Sequence, residues 1–455
     1  MPPEWECGTM SGTEFGDRQP ASRRLSGRGV VSDIWADLTW RGLVADSTDP
    51  DALRRVLLAG PVKFYVGFDP TAPSLHLGHL VQLLTARRLQ LAGHVPHPLV
   101  GGATGLIGDP KESGERQLND PAVVAGWTER IRDQVAPYLD FSGPAAAEVV
   151  NNLDWTASLT AVELLRDIGK HFSIGRMLQR EFVRTRLAGS GISYTEFSYV
   201  LLQSYDFLTL FRDRGITMQL GGSDQWGNIT GGADLIRRVT GERVHCLATP
   251  LLTKADGTKM GKTDAGGVWL DPELTSPYAF HQFFLNSADT QIAERVKIFS
   301  FKPRAEIETL LAESAAAPQL RLAHRALADE VTTIVHGADA AAAATAAGQA
   351  LFGGHDLRAV DETTLASALA ETPRLTVPAG AVPGYAELFA DSGLVPSRGA
   401  ARRMIAEGGA YVNNERLSDV DGAPSATDLL YGRWLVLRRG RRNVAAVEYA
   451  GAVTA

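Results

Sequence analysis

VKFYVGFDPTAPSLHLGHLVQLLTARRLQLAGHVPHPLVGGATG, residues 62–105, is the stretch that sets the fold. Its first eight residues, 62–69, are rich in β-branched and aromatic side chains and read as a buried strand. Pro70 and Pro73 turn the chain, and the run from His76 carries apolar residues at helical spacing until Gly93. HPLVGGATG, 97–105, then reads as a second strand running into a glycine loop. Upstream, residues 34–60 contain two short helical patterns, the second with Asp49 placed to cap it and Pro50 in its first position. Downstream, AEVVNN (147–152) and GITMQLGGSDQ (215–225) add two more strands. Strands alternating with helices predict a parallel sheet covered by helices. Ligands of such sheets bind beyond the C-terminal ends of the strands, and the unusual polar and glycine-rich segments fall at those ends. From about 275 to 365 the pattern is helical, with the alanine-dense run 340–353 read as a packed helix. Composition changes around 366–382, and 383–455 reads as a separate small α+β domain.

A chain of 455 residues with 44% hydrophobic and 21% charged residues fits a soluble globular protein of several domains. Its net charge of −7 argues against a protein that coats nucleic acid over its whole surface, while leaving room for a local basic patch. Two cysteines, Cys7 and Cys246, exclude a disulfide framework or a four-cysteine metal site and fit a reducing, cytoplasmic setting. No run approaches the length of a membrane span, so no membrane partner is expected. Residues 1–32 are polar, rich in Gly, Pro and Ser, and are expected to be a disordered extension without a secretory signal.

Three segments carry chemistry. His76 and His79 are three apart at a helix start and so share a face. The helix N-terminus offers unpaired N–H groups suited to phosphate, and Gly78 leaves room for a ligand. Capping and packing of the helix is the commoner reading of an isolated HxxH; zinc is a weak one, since no nearby cysteine completes a site and Asp69 alone adds little. KADGTKMGKTDAG, 254–266, places Lys254, Lys259 and Lys262 in a glycine-rich polar loop where they could reach phosphates, or simply be solvated. It does not match the P-loop pattern. Finally, in YTEFSYVLLQSYDF (194–207), Tyr199, Gln203 and Asp206 share one face of a helix whose neighbours are apolar. Buried polar groups need partners, and a substrate bearing an ammonium and a hydroxyl would supply them.

Taken together these segments resemble the bacterial tyrosyl-tRNA synthetase family, of class I. HLGH at 76–79 is similar to the family's HIGH motif and KMGKT at 259–263 to its KMSKS motif. FDPTAPSLHLGH, GGATGLIGDP, VNNLDW, TEFSYVLLQSYDF and GGSDQWGNIT match as well, over about residues 33–445. The resemblance implies a Rossmann-like catalytic domain at 33–270, a helical anticodon-binding region at 271–368 and an S4-like RNA-binding domain at 383–455. It implies that Tyr199, Gln203 and Asp109, assisted by Asn152, hold the substrate ammonium, and that Tyr65 and Asp206 hydrogen-bond the phenolic hydroxyl. Asp69 would belong to the tyrosine-binding set and lie near the adenylate. Adenine and ribose would sit near Gly67, Gly221, Asp224 and Gln225, with Asp224 on the ribose hydroxyls and Gln225 near the α-phosphate or the tyrosine carboxylate. Thr71, His76, Gly78 and His79 would meet the phosphates, and Lys259, Lys262 and Thr263 would close over pyrophosphate. ATP would arrive with Mg²⁺, for which the sequence shows no dedicated cage. Rejection of phenylalanine would follow from stranded polar groups, so no editing domain is required.

The resemblance has departures. GDPKESGERQL (108–118) is one residue shorter than the loop of some relatives, which leaves open whether Lys111 or Arg116 reaches phosphate, and Gly261 stands where the motif has Ser. In the C-terminal part, Arg398, Arg402 and Arg403 lie on a short predicted helix, and 398–442 holds nine arginines against five acids. A positive segment in an acidic chain is expected of a module that contacts phosphates. The expected partners are L-tyrosine, ATP, tRNA(Tyr) and a second copy of the chain, as a homodimer across which one tRNA spans.

Overall fold

A computed structural model describes residues 33–109, 118–253, 267–440 and 443–450. The expected extension 1–32, the basic residues Lys111 and Arg116, and the lysine segment with Lys254, Lys259, Lys262 and Thr263 lie outside the described residues. The chain divides into two compact units, the first holding 33–39, Leu43–Pro73 and Gln82–Pro250, the second holding Trp40–Gly42, Ser74–Val81 and 251–450.

The first unit is built on a six-stranded sheet in the order β1-β6-β5-β2-β3-β4. The strands are β1 (Asp46–Ser47), β2 (Lys63–Phe68), β3 (Val95–Val100), β4 (Val150–Asn151), β5 (Met218–Gly222) and β6 (His245–Thr249). All pairings are parallel except that of β1 with β6. From β2 the chain winds one way through β3 and β4, then returns to place β5 on the other side of β2. The reversal makes the C-terminal ends of β2 and β5 the crevice where a doubly wound sheet takes its ligand. The strand expected at 147–152 is only two residues long, and β1 and β6 were not foreseen.

Three helices matter to the site. Helix α1 (Leu77–Leu91) follows β2. Helix α2 (Tyr194–Arg214) starts where the Ser193 hydroxyl accepts the Glu196 N–H and ends at Gly215, whose φ of 67° lets its N–H turn back to the last carbonyls. Helix α3 (Trp226–Thr240) leaves the end of β5 through a short turn, Ser223–Gln225. Phe207, Leu208, Ile229, Leu235 and Ile236 from α2 and α3 pack with Tyr65 and Leu99 of the sheet in one core.

The second unit is helical up to residue 370, then a five-stranded sheet in the order β7-β11-β10-β8-β9. Its helices include α4 (Pro277–Leu285), α5 (Leu322–His336) and α6 (Ala338–Gly353). The alanine run is indeed a packed helix: Ala344, Ala347 and Ala350 are buried. The sheet strands are β7 (Arg374–Val377), β8 (Ala410–Val412), β9 (Glu415–Arg416), β10 (Trp434–Arg439) and β11 (Asn443–Tyr449). Helix α7 (Arg398–Ala406) covers one face.

Two expected boundaries move. A start at 383 for the C-terminal domain comes too late, because β7 pairs in parallel with β11 and belongs to its sheet. The same sheet shares a core with the helices, since Trp434, Val436 and Ala446 pack with Ala347, Leu351 and Leu365. Residues 40–42 and 74–81, expected inside a continuous 33–270 domain, pack with the second unit instead. The Arg41 guanidinium donates to the carbonyls of Lys297, Ser300 and Lys302 at 2.7–3.0 Å, tying that turn to the end of the helix Ile292–Phe299. Segment 74–81 is held by backbone bonds to 268–271, given below. Among the described residues no helix is long and apolar enough to cross a membrane.

Candidate active site

Along β2 side chains alternate, so Tyr65, Gly67 and the following Asp69 face one way. Tyr65 is 1% exposed, its ring lies edge-on to Phe207 at 5.2 Å, and its hydroxyl has no hydrogen-bond partner. Gly67 is exposed although its strand is central, and a Cβ added there would meet nothing within 4 Å. A central strand with an open space over it is the floor of a pocket. Helix α2 supplies Tyr199, Gln203 and Asp206 from one face, as the spacing predicted, with Tyr199 and Asp206 buried.

Asp206 accepts from Asn152 Nδ2 at 3.0 Å and from Trp155 Nε1 at 2.8 Å. Burial pushes its carboxyl up to about 7; the two donors oppose that shift and the charge of Asp69 adds to it. Burial, then the neighbouring Asp206 charge, holds the Tyr65 hydroxyl well above its ordinary value. That phenol therefore stays protonated, an unspent donor beside a carboxyl group. Tyr199 Oη donates to Asp69 Oδ2 at 2.5 Å, and Thr104 Oγ1 donates to Asp69 Oδ1 at 2.7 Å. Asn152 closes the network: Nδ2 donates to Thr104 Oγ1 at 2.9 Å and Oδ1 accepts from the Ala103 N–H at 2.7 Å. Gly101 has no side chain because Asp69 Oδ1 lies 2.0 Å from where its Cβ would be.

The structure brings together most of the residues singled out for an amino-acid pocket, and gives two of them, Asn152 and Asp109, partners other than those expected. Asp69, expected among the tyrosine-binding residues, is the direct partner of Tyr199. Asn152, expected to assist with an ammonium, has its amide spent on Ala103, Thr104 and Asp206, and acts as the hub that fixes them. Asp109 accepts from Gln225 Nε2 at 2.7 Å and Asn228 Nδ2 at 3.2 Å, so Gln225 is held by a carboxylate. Asp109 still acts on the amino-acid pocket: with Asp69, after burial, its charge raises the Tyr199 hydroxyl.

At the end of β5, a Cβ on Gly221 would stand 2.6 Å from Ile229 Cδ1, and one on Gly222 would stand 2.6 Å from Asp224 Oδ1, so glycine is required for this turn to close. Asp224 is exposed at the mouth of the crevice. Beside it, Gln82 Nε2 donates to Thr249 Oγ1 at 2.5 Å while Gln82 Oε1 is buried without a partner. Gln203 Oε1 and Gln219 Oε1 are unpartnered too, and Gln219 is paired in register with Tyr65. Most buried polar atoms are satisfied in a folded protein. Four orphans (Tyr65, Gln82, Gln203 and Gln219) around one crevice of the first unit point to a polar ligand. Thr71 lies in the turn after β2, its N–H bonded to the Asp69 carbonyl at 2.8 Å.

The histidine corner belongs to the second unit. The His76 and His79 rings stack at 3.9 Å with 19° between planes. His79 Nδ1 accepts the His76 N–H at 3.2 Å and His76 Nδ1 accepts the Gly78 N–H at 3.1 Å. That pattern assigns the proton of each neutral ring to Nε2, which makes Nε2 the donor of each. A Cβ on Gly78 would stand 2.9 Å from His76 Cε1, so glycine lets the first ring fold over the turn. Residues 268–271, just beyond the lysine segment, bind this corner. Leu77 N–H donates to the Val268 carbonyl at 3.2 Å, Leu270 N–H to the Leu75 carbonyl at 2.9 Å, and Asp271 N–H to Ser74 Oγ at 3.2 Å. On the other side of that segment, Gln291 Nε2 donates to the Thr253 carbonyl at 2.8 Å. Among the described residues no group of three or more His, Cys, Asp or Glu could hold a metal ion.

The chain is 61% identical over 417 residues to the tyrosine–tRNA ligase of Kineococcus radiotolerans, a match spanning 92% of this chain and 99% of that one. It belongs to the tyrosine–tRNA ligase family. The Streptomyces coelicolor tyrosine–tRNA ligase is 59% identical over 93% of this chain and 100% of that one. Residues 58–353 match the family model of class I tRNA synthetases (W and Y), and 365–447 match that of the tyrosine–tRNA ligase SYY-like C-terminal domain. Among solved structures, a C-terminally truncated mitochondrial tyrosyl-tRNA synthetase of Aspergillus nidulans is similar with a TM-score of 0.65 at 30% identity, covering 73% of this chain and 97% of that one.

For this tyrosine–tRNA ligase relative, reading the sequence missed Thr104, Trp155, Gln219 and Asn228. Thr104 and Trp155 lie in segments noticed for their resemblance, GGATG and VNNLDW, but nothing local says which carboxylate each bonds. Gln219 had a usable signal: a lone amide in the strand MQLGG, among residues buried on both faces.

The C-terminal arginines expected to face RNA lie at the surface. Arg398 is ion-paired with Glu387, and Arg402 with Asp421 at 2.6 Å. Both guanidiniums stay more than half exposed, as surface ion pairs do, and Arg403 is exposed with no ion pair among the described residues. Arg433 and Arg374 share Glu448, and their guanidiniums lie 5.0 and 5.8 Å from the Trp434 ring centroid. Arg441 and Arg442 lie outside the described residues.

Proposed function

We propose that the chain forms tyrosyl-AMP and pyrophosphate from L-tyrosine and ATP, then passes the tyrosyl group to the 3′ end of tRNA(Tyr) and releases AMP, with the work divided as follows. The phenolic hydroxyl enters between Tyr65 and Asp206. The observation that carries this assignment is the buried, unpartnered Tyr65 hydroxyl beside a carboxyl already fixed by Asn152 and Trp155. The substrate ammonium is held by Asp69, Tyr199 and Gln203, with Asp109 adding charge and Gln225 oriented by it. Its carboxylate then lies over Gly67, where no side chain obstructs.

In the first step a tyrosine carboxylate oxygen forms a bond to the α-phosphorus as the bond to pyrophosphate breaks. Nothing needs to be covalently attached to the protein, so rate comes from positioning and from stabilising charge on the phosphates. Asp224 accepts from the ribose hydroxyls, and Gly221 and Gly222 admit the nucleotide. The Nε2–H groups of His76 and His79, with Thr71, donate to phosphate oxygens as charge builds on them. Lys259 and Lys262 neutralise charge on the leaving pyrophosphate, and the Thr263 hydroxyl donates a hydrogen bond to it. Mg²⁺ arriving with ATP would supply further charge neutralisation. In the second step the terminal ribose hydroxyl of tRNA attacks the activated carbonyl and AMP leaves.

The reading includes a homodimer. Val162, Leu165, Ile174, Leu187 and Tyr194 are each exposed by 52–69%, apolar side chains that a second copy could cover. It also includes an S4-like, RNA-binding C-terminal domain and a cytoplasmic setting, where Cys246 stays a buried thiol. The test is ATP–pyrophosphate exchange with each amino acid in turn. Exchange driven by tyrosine is expected; exchange driven by tryptophan instead would overturn the pocket assignment, and none with any amino acid would overturn activation.

A further inference from the structure

Arg180 lies in the turn between the short helices Ile174–Leu178 and Glu181–Ala188, and its guanidinium reaches the first turn of α3. Nη2 donates to the Gly227 carbonyl at 2.9 Å and Nη1 to Asn228 Oδ1 at 3.2 Å. Gly231, about one turn further along α3, leaves the space for it, since a Cβ there would stand 3.3 Å from Nη2. Arg180 makes no ion pair among the described residues. Asp234, a carboxylate lining the same cleft, pairs instead with Arg176, Arg237 and Arg238. Burial draws the Arg180 guanidinium below its ordinary value, yet an arginine stays charged at neutral pH. A half-buried cation is thus directed at two neutral carbonyls, although taking a charge out of water is costly without an opposite charge.

What those bonds achieve is visible on the far side of Asn228. Its Nδ2 donates to Asp109 Oδ1 at 3.2 Å and to Gln225 Oε1 at 3.0 Å, and Gln225 Nε2 donates to Asp109 Oδ2 at 2.7 Å. The three side chains close a ring in which a carboxylate accepts from two amides and one amide accepts from the other. An amide has a donor end and an acceptor end, and its neighbours decide which way each end faces. Turned over, Asn228 would set its oxygen against the Asp109 carboxylate and the Gln225 oxygen, and its NH₂ against a guanidinium that can only donate. Asn228 is 8% exposed, which leaves water little room to take the place of Arg180.

We propose that Arg180 is a positioning residue for tyrosine activation: by holding Asn228 Oδ1 it fixes the Asp109–Gln225 pair, and with it the charge and the amide which that pair presents to bound tyrosine. The inference rests on the reading of the chain as one that activates tyrosine. A binding constellation loses affinity and rate when the bonds behind it loosen, even though no contact with the substrate has been removed.

The experiment is tyrosine-dependent ATP–pyrophosphate exchange on the full chain, comparing wild type, R180M, N228A and the double variant. Rates are expressed per active site, counted from the burst of tyrosyl-AMP formation, so that unfolded protein does not enter them. R180M keeps the stem and removes the donors. It is expected to lower kcat/KM for tyrosine by about tenfold, mainly through KM for tyrosine, while KM for ATP stays within about twofold of wild type. The double variant separates positioning from general support of the fold. Because Arg180 acts through Asn228, R180M should add little to the loss that N228A already causes. Losses that multiply, or wild-type kinetics in R180M, would overturn the proposal. If R180M does not fold, R180K takes its place. A point-like ammonium cannot hold both carbonyls as the fork does, so a loss of about threefold or more is expected, again without multiplying that of N228A. A wild type without tyrosine-dependent exchange would fail the activation reading itself, whereas exchange in wild type that R180M leaves unaltered would fail only the role of Arg180.

Discussion

Asp206 shows at the scale of one residue how burial becomes chemistry. Its carboxyl sits at about 7 in the fold against an ordinary 3.8, because burial penalises its charge more than Asn152 and Trp155 compensate. Between those two values the folded chain keeps a proton that the unfolded chain has lost, so its contribution to stability falls as pH rises from about 4 to about 7 and is flat above. At about 1.4 kcal/mol per unit, the effect is on the order of a few kcal/mol. Asp206→Asn removes the titration. The difference in melting temperature, variant minus wild type, should therefore climb across that window and level off near neutrality; a difference that does not change with pH would contradict a perturbed Asp206. The same variant should lose tyrosine kcat/KM by about tenfold to a hundredfold, the worth of a hydrogen bond to a charged group, with a much smaller loss for phenylalanine. Equal losses for the two would mean Asp206 does not read the hydroxyl. The sequence exposed Asp206 through its place on a polar helix face, but Trp155, 51 residues away, is joined to it only by the fold.

At the scale of the element, β2 does two jobs through simple alternation. One face of the strand carries Tyr65, Gly67 and Asp69, and the other carries Phe64, Val66 and Phe68 into the core. Gly67 is the informative position, since a Cβ there meets nothing and its backbone is not in the left-handed region. Gly67→Val should leave the melting temperature within a few degrees of wild type, while raising KM for tyrosine or ATP at least tenfold in pyrophosphate exchange. A well-folded variant with wild-type KM values would show that nothing binds over the strand. Helix α2 complements it, delivering Tyr199, Gln203 and Asp206 because seven residues are close to two turns. These patterns were readable because period 2 and period 3.6 are properties of the local chain. Strand β6 was overlooked: HCLAT has no alternation, being buried along four of its five residues, and such a run is not distinguishable by period from any short apolar segment.

At the scale of the whole molecule, the C-terminal sheet is not a free appendage of the helices. β7 begins at Arg374, and Trp434, Val436 and Ala446 share one core with Ala347, Ala350, Leu351 and Leu365. A chain ending at residue 360 would expose that core to water. Its melting temperature in calorimetry should fall by several degrees, with an apolar surface that binds a fluorescent dye. An unchanged transition would mean the sheet and helices are energetically separate. Composition around 366–382 suggested a linker because Thr372, Pro373 and Pro378 look like turn residues, whereas they bracket a strand whose partner lies some seventy residues downstream.

Sequence by itself determined the parallel sheet, the polar face of α2, the histidine pair and the family, since each depends on residue types at short, fixed spacing. Tertiary structure alone decided that Asp69 bonds Tyr199, that Asn152 is a hub, and that Arg398 and Arg402 are paired with acids. Those outcomes depend on which carboxylates and donors arrive from distant parts of the chain, and a charge or hydrogen bond takes its strength from the neighbours and burial that folding gives it.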